Sequence, residues 1–243
     1  MTLFLTSSPC LNGLDRAVLN PANEFVARMK AALPPDVRCL FICSSPDTPE
    51  MTERFGQDMR NAFQEAGMPF ARFAVLDSRN EDDAPALVAN SNFIILAGGH
   101  VPTQNAFFQH IGLAGLLQDY TGVIMGISAG TMNAASTVYA QPELEGEALD
   151  PEYERFLPGL GLTDVMILPH YQMVRGDWLD GMRLFEDITY ADSHGHTFYA
   201  LPDGSYLYRR GGKTLLLGEA YRICDGVMEQ VSENGRKLTL SKG

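Results

Sequence analysis

Positive charge is scarce in this 243-residue chain: 18 lysines and arginines stand against 30 aspartates and glutamates, a formal net charge of −12. Such a surface repels phosphate backbones and anionic lipid, which argues against nucleic acid and membrane as partners. Long hydrophobic runs are also missing. No stretch approaches the roughly 18 apolar residues of a membrane-crossing helix. The opening MTLFLTSSPC has no basic segment and too few consecutive apolar residues for a secretory signal, so it is expected to form the first strand. Cysteines are few. Cys10, Cys39, Cys43 and Cys224 show no metal-ligand spacing, and no cysteine–histidine cluster calls for a metal or other cofactor. Cys39 and Cys43 fall in an apolar run where reduced, buried thiols are expected, which makes the cytoplasm the expected compartment. Internal repeats and low-complexity segments are absent as well.

What remains is an ordinary globular composition, 45% hydrophobic, long enough to bury one sizeable core. The whole chain, 1–243, is expected to form a single α/β domain. Short apolar runs alternate with amphipathic stretches. Thr2–Ser8, Arg38–Ser45, Phe70–Leu76, Phe93–Leu96, Gly122–Ile127 and Val165–Leu168 read as strands. Asn23–Leu33 (stopped by Pro34-Pro35), Thr52–Ala66 (closed by Gly67) and Thr103–Gln118 read as helices. Continuous apolar strands between helices imply a mostly parallel sheet covered on both faces, a three-layer α/β/α fold. After about residue 197, hairpins turning at Gly211-Gly212 and Asp225-Gly226 are expected to add antiparallel strands at the sheet edge. The acidic, turn-rich segment Gln141–Pro158 reads as a surface excursion near the site.

One pentapeptide carries chemistry. Gly126-Ile127-Ser128-Ala129-Gly130 follows a strand and precedes small residues. A serine on a sharp strand-to-helix turn is strained, and side chains two places away would collide, so glycine is wanted at both. The hydroxyl then projects at the C-terminal end of the sheet, beside unpaired N–H groups of the next helix.

A nucleophilic serine needs a base and a group that orients the base. Of the five histidines, His170 ends the strand-like VMILPH and is expected at the same sheet edge as Ser128, where open parallel sheets place their sites. His110 lies in a helical stretch, and His194 and His196 lie in a polar loop. For the carboxylate, Asp203 in LPDGS is the choice on spacing, with Asp192 and Glu219 open as alternatives. An oxyanion hole would draw one N–H from Ala129 and a second from Gly98 or Gly99, after the strand FIILAGG.

The order Ser128, His170, Asp203 differs from the Ser-acid-His order of α/β-hydrolases. With ILAGG (Ile95–Gly99), GISAG (Gly126–Gly130), LPH (Leu168–His170) and LPDGS (Leu201–Ser205), it resembles the peptidase E family of serine peptidases, which includes aspartyl dipeptidases and, more distantly, cyanophycinases. The resemblance runs from the first strand to about residue 220. It implies a fold like that of class I glutamine amidotransferases, with Ser128 as nucleophile, His170 as base, Asp203 as acid and Gly98 or Gly99 in the oxyanion hole. The amidotransferases carry cysteine at this elbow, so Ser128 argues against glutaminase chemistry.

Two departures from the family stand out. Gly-Gly commonly continues with Asn, but this chain reads GGHVPTQN, placing His100 beside the expected oxyanion hole. Aspartyl dipeptidases follow their histidine with a basic stretch, whereas MVRGDWLDGMR offers Arg175 and Arg183 alongside Asp177 and Asp180. His100, Tyr171, Arg175 and Arg183 are the candidate substrate contacts. The expected activity is amide hydrolysis of short peptides without metal or cofactor, by a monomer or homodimer. An esterase or other acyl hydrolase on the same scaffold, or a ligand sensor without catalysis, are the rival readings.

Overall fold

The computed structural model describes residues 1–240. Its first half is built from β1 (Thr2–Thr6), α1 (Phe25–Ala32), β2 (Arg38–Ile42), α2 (Pro49–Glu65), β3 (Arg72–Leu76), α3 (Ala84–Ala89), β4 (Phe93–Leu96), α4 (Val101–His110), α5 (Leu113–Leu116), β5 (Val123–Ile127) and α6 (Ala129–Asn133). The expected helix Thr103–Gln118 is therefore two helices. The chain breaks at Gly112, whose φ of +62° no longer fits an α-helix.

The second half contributes β6 (Thr137–Tyr139), β7 (Phe156–Pro158), β8 (Met166–Leu168), α7 (Tyr171–Val174), β9 (Trp178–Leu179), β10 (Met182–Arg183), β11 (Thr197–Ala200), β12 (Tyr206–Arg210), β13 (Lys213–Leu217), β14 (Ala220–Cys224), β15 (Val227–Ser232) and β16 (Lys237–Leu240).

The main sheet has eight strands in the order β16-β13-β12-β1-β5-β4-β2-β3. The five from β1 to β3 are mutually parallel, and β12, β13 and β16 join antiparallel on the β1 side. The parallel strands are apolar without interruption because each face is covered. Leu3, Leu40, Ile94 and Ile124 face the layer of α3, α4 and α5, where they meet Val88, Phe108 and Leu113. Phe4, Phe41, Phe93 and Met125 face the opposite layer and pack with Phe25 and Met29 of α1 and Met59 and Phe63 of α2. Strand alternation thus divides one sequence pattern between two cores. No helix among the described residues is long and apolar enough to cross a membrane.

Two expectations change. Only the hairpin at Gly211-Gly212 extends the main sheet. The hairpin at Asp225-Gly226 belongs to a separate four-stranded sheet, β15-β14-β11-β8, which also takes the strand expected at Val165–Leu168. This second sheet packs over α6 through a third core that includes Met132, Leu168, Phe198 and Ile223. His170 therefore approaches Ser128 from a different sheet, carried there by packing that no local signal specifies.

Candidate active site

Ser128 follows β5 with φ 49° and ψ −112°, a strained conformation for a residue bearing a side chain. Its amide donates to the carbonyls of Thr6 and Ser7, both at 3.2 Å, which fixes the turn against the end of β1. The glycines flanking it are required by close approach. A Cβ on Gly126 would lie 2.8 Å from the Thr131 backbone, and one on Gly130 would lie 2.3 Å from the Leu96 carbonyl oxygen. A Cβ on Gly98 would lie 3.3 Å from the Ser128 Cβ, so that backbone runs directly beside the serine. The amides of Gly98, Gly99 and Ala129 have no acceptor among the described residues. Since α6 has only five residues, these are individual donors and not the field of a long helix.

His170 follows β8 in the left-handed region, φ 58°, at the head of α7. Its Nδ1 lies 2.8 Å from Asp203 Oδ1. That carboxylate is heavily used. The Ser7 hydroxyl donates to Oδ1 at 2.7 Å, and Asn12 Nδ2 and Gln172 Nε2 donate to Oδ2 at 2.8 and 2.7 Å. Burial alone would raise the Asp203 carboxyl, but hydrogen bonds from His170, Asn12 and Ser7 outweigh it and hold the group well below the usual carboxylate range. The Ser7 hydroxyl in turn accepts the His170 amide at 2.7 Å. Fully buried at the end of β1, Ser7 therefore touches the Ser128 backbone, the histidine and the carboxylate.

No strong local pattern marks Ser7, Asn12 and Gln172 as site residues. The signal available was weak: polar TSS directly after an apolar strand at the C-terminal sheet edge. Of the three carboxylates weighed, Asp203 is the one that reaches His170. Asp192 accepts the Tyr139 hydroxyl at 2.7 Å, and Glu219 accepts that of Tyr221. The other histidines are engaged elsewhere: His110 pairs with Glu81, His196 stacks on Phe156, and His194 lies against Gly226.

Ser128 and His170 line one cleft of about 260 Å³, without a hydrogen bond joining their side chains. Separation of this kind is common before substrate binds. Gly99, Glu143, Asp177 and Trp178 are among the other residues around it. The wall at Trp178 is a tight hairpin of β9 and β10 turning at Asp180-Gly181. The Asp180 carboxylate accepts the Gly146 and Ala148 amides at 2.8 and 3.0 Å and so ties this hairpin to the acidic excursion, whose Gln141–Glu143 form the facing wall. Loss of hydration in the cleft pushes the Glu143 carboxyl upward, against the opposing pull of the Val101 amide and His100.

The four candidate substrate contacts are not among the residues lining this cleft. His100 is clamped between Thr103 Oγ1 and Glu147 Oε1, both at 2.8 Å. Tyr171 packs against Phe185 and Tyr221. Arg183 is bound by Asp187, and Arg175 is exposed beyond the end of α7.

Comparison with known proteins adds a family assignment. Residues 10–217 match the model of Peptidase family S51. The fold is shared with a peptidase from an acI-B1 actinobacterium, at 17% identity and a TM-score of 0.65, covering 98% of this chain and 96% of that one. It is shared also with a protein assigned as a peptidase E from Listeria monocytogenes EGD-e, at 16% identity and a TM-score of 0.60, covering 95% of this chain and 98% of that one. No curated protein matches the chain in sequence.

Proposed function

Because the chain belongs to peptidase family S51, we propose that it hydrolyses amide bonds of short peptides, in the manner of a dipeptidase, through Ser128, His170 and Asp203. The observation that carries this reading is the 2.8 Å pair of His170 Nδ1 and Asp203 Oδ1, with Ser128 and His170 in one cleft. With Nδ1 protonated toward an ionised Asp203, Nε2 is left free to accept a proton.

The Ser128 hydroxyl attacks the scissile carbonyl as its proton passes to His170 Nε2. Negative charge gathers on the carbonyl oxygen, where the free amides of Ala129 and of Gly98 or Gly99 receive it. Collapse breaks the C–N bond, and His170 returns its proton to the leaving amine. Water, deprotonated by the same histidine, then releases the acyl group and restores Ser128. The cleft volume lies just below the range of about 300–1,000 Å³ typical of drug-sized ligands, which supports a substrate of one or two residues at the site. The expected partner is therefore a small peptide, and the residues described call on no cofactor for any step.

The test is incubation of the protein and its Ser128→Ala variant with a library of dipeptides and tripeptides and their matched esters, each followed by mass spectrometry. Cleavage by the native protein alone is the expected result. A variant as active as the native protein would overturn the assignment of Ser128, and depletion only of matched esters would favour the esterase reading.

A further inference from the structure

The cleft beside Ser128 contains no lysine or arginine. Its charged lining consists of Glu143, Asp177 and the histidine His170. Neither carboxylate is in an ion pair among the described residues, whereas the nearby arginine Arg183 is held by Asp187. Glu143 accepts only the Val101 amide, at 3.2 Å, which leaves most of its acceptor capacity unused. Trp178 lines the same cleft with 66% of its surface exposed, presenting an aromatic side chain that a cation can approach. A substrate carboxylate entering here would meet two like charges and find no cation.

We infer that the cleft selects peptides carrying a positive charge next to the scissile bond, with Glu143 as the main specificity-determining residue and Asp177 and Trp178 completing the cation subsite. The inference rests on the peptidase reading, since that chemistry places the substrate carbonyl at Ser128. An ammonium in the cleft pairs with Glu143 and gives that carboxylate the partner the protein does not provide. The positive charge can come from a free N-terminus or from a basic side chain, and the two sources share this chemistry. An N-terminal aspartate would be disfavoured at the same place.

Binding to the Ser128→Ala variant, measured by calorimetry, reads this preference without turnover. The probes are Lys-Ala, norleucyl-Ala and Asp-Ala, each with a free and an acetylated N-terminus. Acetyl-Lys-Ala against acetyl-norleucyl-Ala isolates the side-chain ammonium; norleucyl-Ala against its acetylated form isolates the terminal one. Roughly 10- to 100-fold tighter binding in at least one comparison is expected, as for a charge-assisted hydrogen bond. Adding Glu143→Gln, whose folding is checked by thermal melting, should reduce that ratio several-fold or more. Equal binding in both comparisons, tightest binding of the aspartyl probes, or a preference unchanged by Glu143→Gln would overturn the inference. Cleavage by the native protein without any charge preference would overturn this inference alone; a charge preference without cleavage would overturn the peptidase reading and leave the cation subsite standing.

Discussion

Ser7 and Asp203, 196 positions apart in the chain, are joined by a hydrogen bond of 2.7 Å from the serine hydroxyl to the carboxylate. The same hydroxyl accepts the His170 amide, so a single buried side chain at the end of β1 sets the distance between histidine and acid.

Ser7→Ala should therefore impair turnover without removing any group that touches substrate. We expect kcat to fall roughly 10- to 100-fold with KM little changed. Stability should drop by about 1–3 kcal/mol, because the half-buried His170 amide loses its acceptor and Asp203 loses a donor. Steady-state kinetics and thermal melting check both, and Ser7→Thr, which restores a hydroxyl, should recover part of kcat. A change confined to melting temperature would reduce Ser7 to a structural role.

Asp203→Asn should lower kcat on the order of 10³- to 10⁴-fold, since an amide stabilises neither the required tautomer nor the imidazolium. The pH dependence of stability has a definite sign. A carboxyl depressed in the folded state stabilises the protein above its unfolded value, about 3.9, and loses that contribution as pH falls toward its native value. The melting-temperature difference between native protein and Asp203→Asn should thus shrink as pH falls below about pH 4. A difference that fails to shrink on acidification below about pH 4 would contradict the hydrogen-bond network as described.

Asn12 and Gln172 reach Asp203 Oδ2 from more exposed positions. Water can replace either donor, so each alanine variant alone should change kcat less than roughly threefold, and the double variant should exceed the product of the two. A double-mutant cycle measures this coupling.

The elbow glycines can be separated from permissive ones. Gly130→Ala drives a Cβ to within 2.3 Å of the Leu96 carbonyl and should destabilise the fold by several kcal/mol or prevent its accumulation. Gly115, in α5, has open space around its Cβ position. Gly115→Ala should leave activity intact and raise stability by about 0.4–1 kcal/mol. Denaturant melts of the two variants give the comparison directly.

Much of the parallel half was legible because its signals are local. Uninterrupted apolar strands, a helix stopped by Pro34-Pro35, and glycines on both sides of Ser128 each reflect packing or strain within a few residues. The break at Gly112 was missed because the flanking residues keep helical spacing and only the backbone angle of one glycine interrupts them. The hairpin at Asp180-Gly181 carried a turn signal, but strands of two residues are too short for periodicity to register.

By itself, then, the sequence determined the elbow, the parallel core and the short list of histidines and carboxylates, all consequences of near-neighbour sterics and strand alternation. Only the tertiary structure decided which carboxylate meets His170, that Ser7 joins them, and that His170 arrives from a second sheet. It also decided that the cleft is walled by acids and a tryptophan, with the arginines turned elsewhere. Those outcomes depend on contacts between residues far apart in the chain, and their register is set by burial across three separate cores rather than by any local pattern.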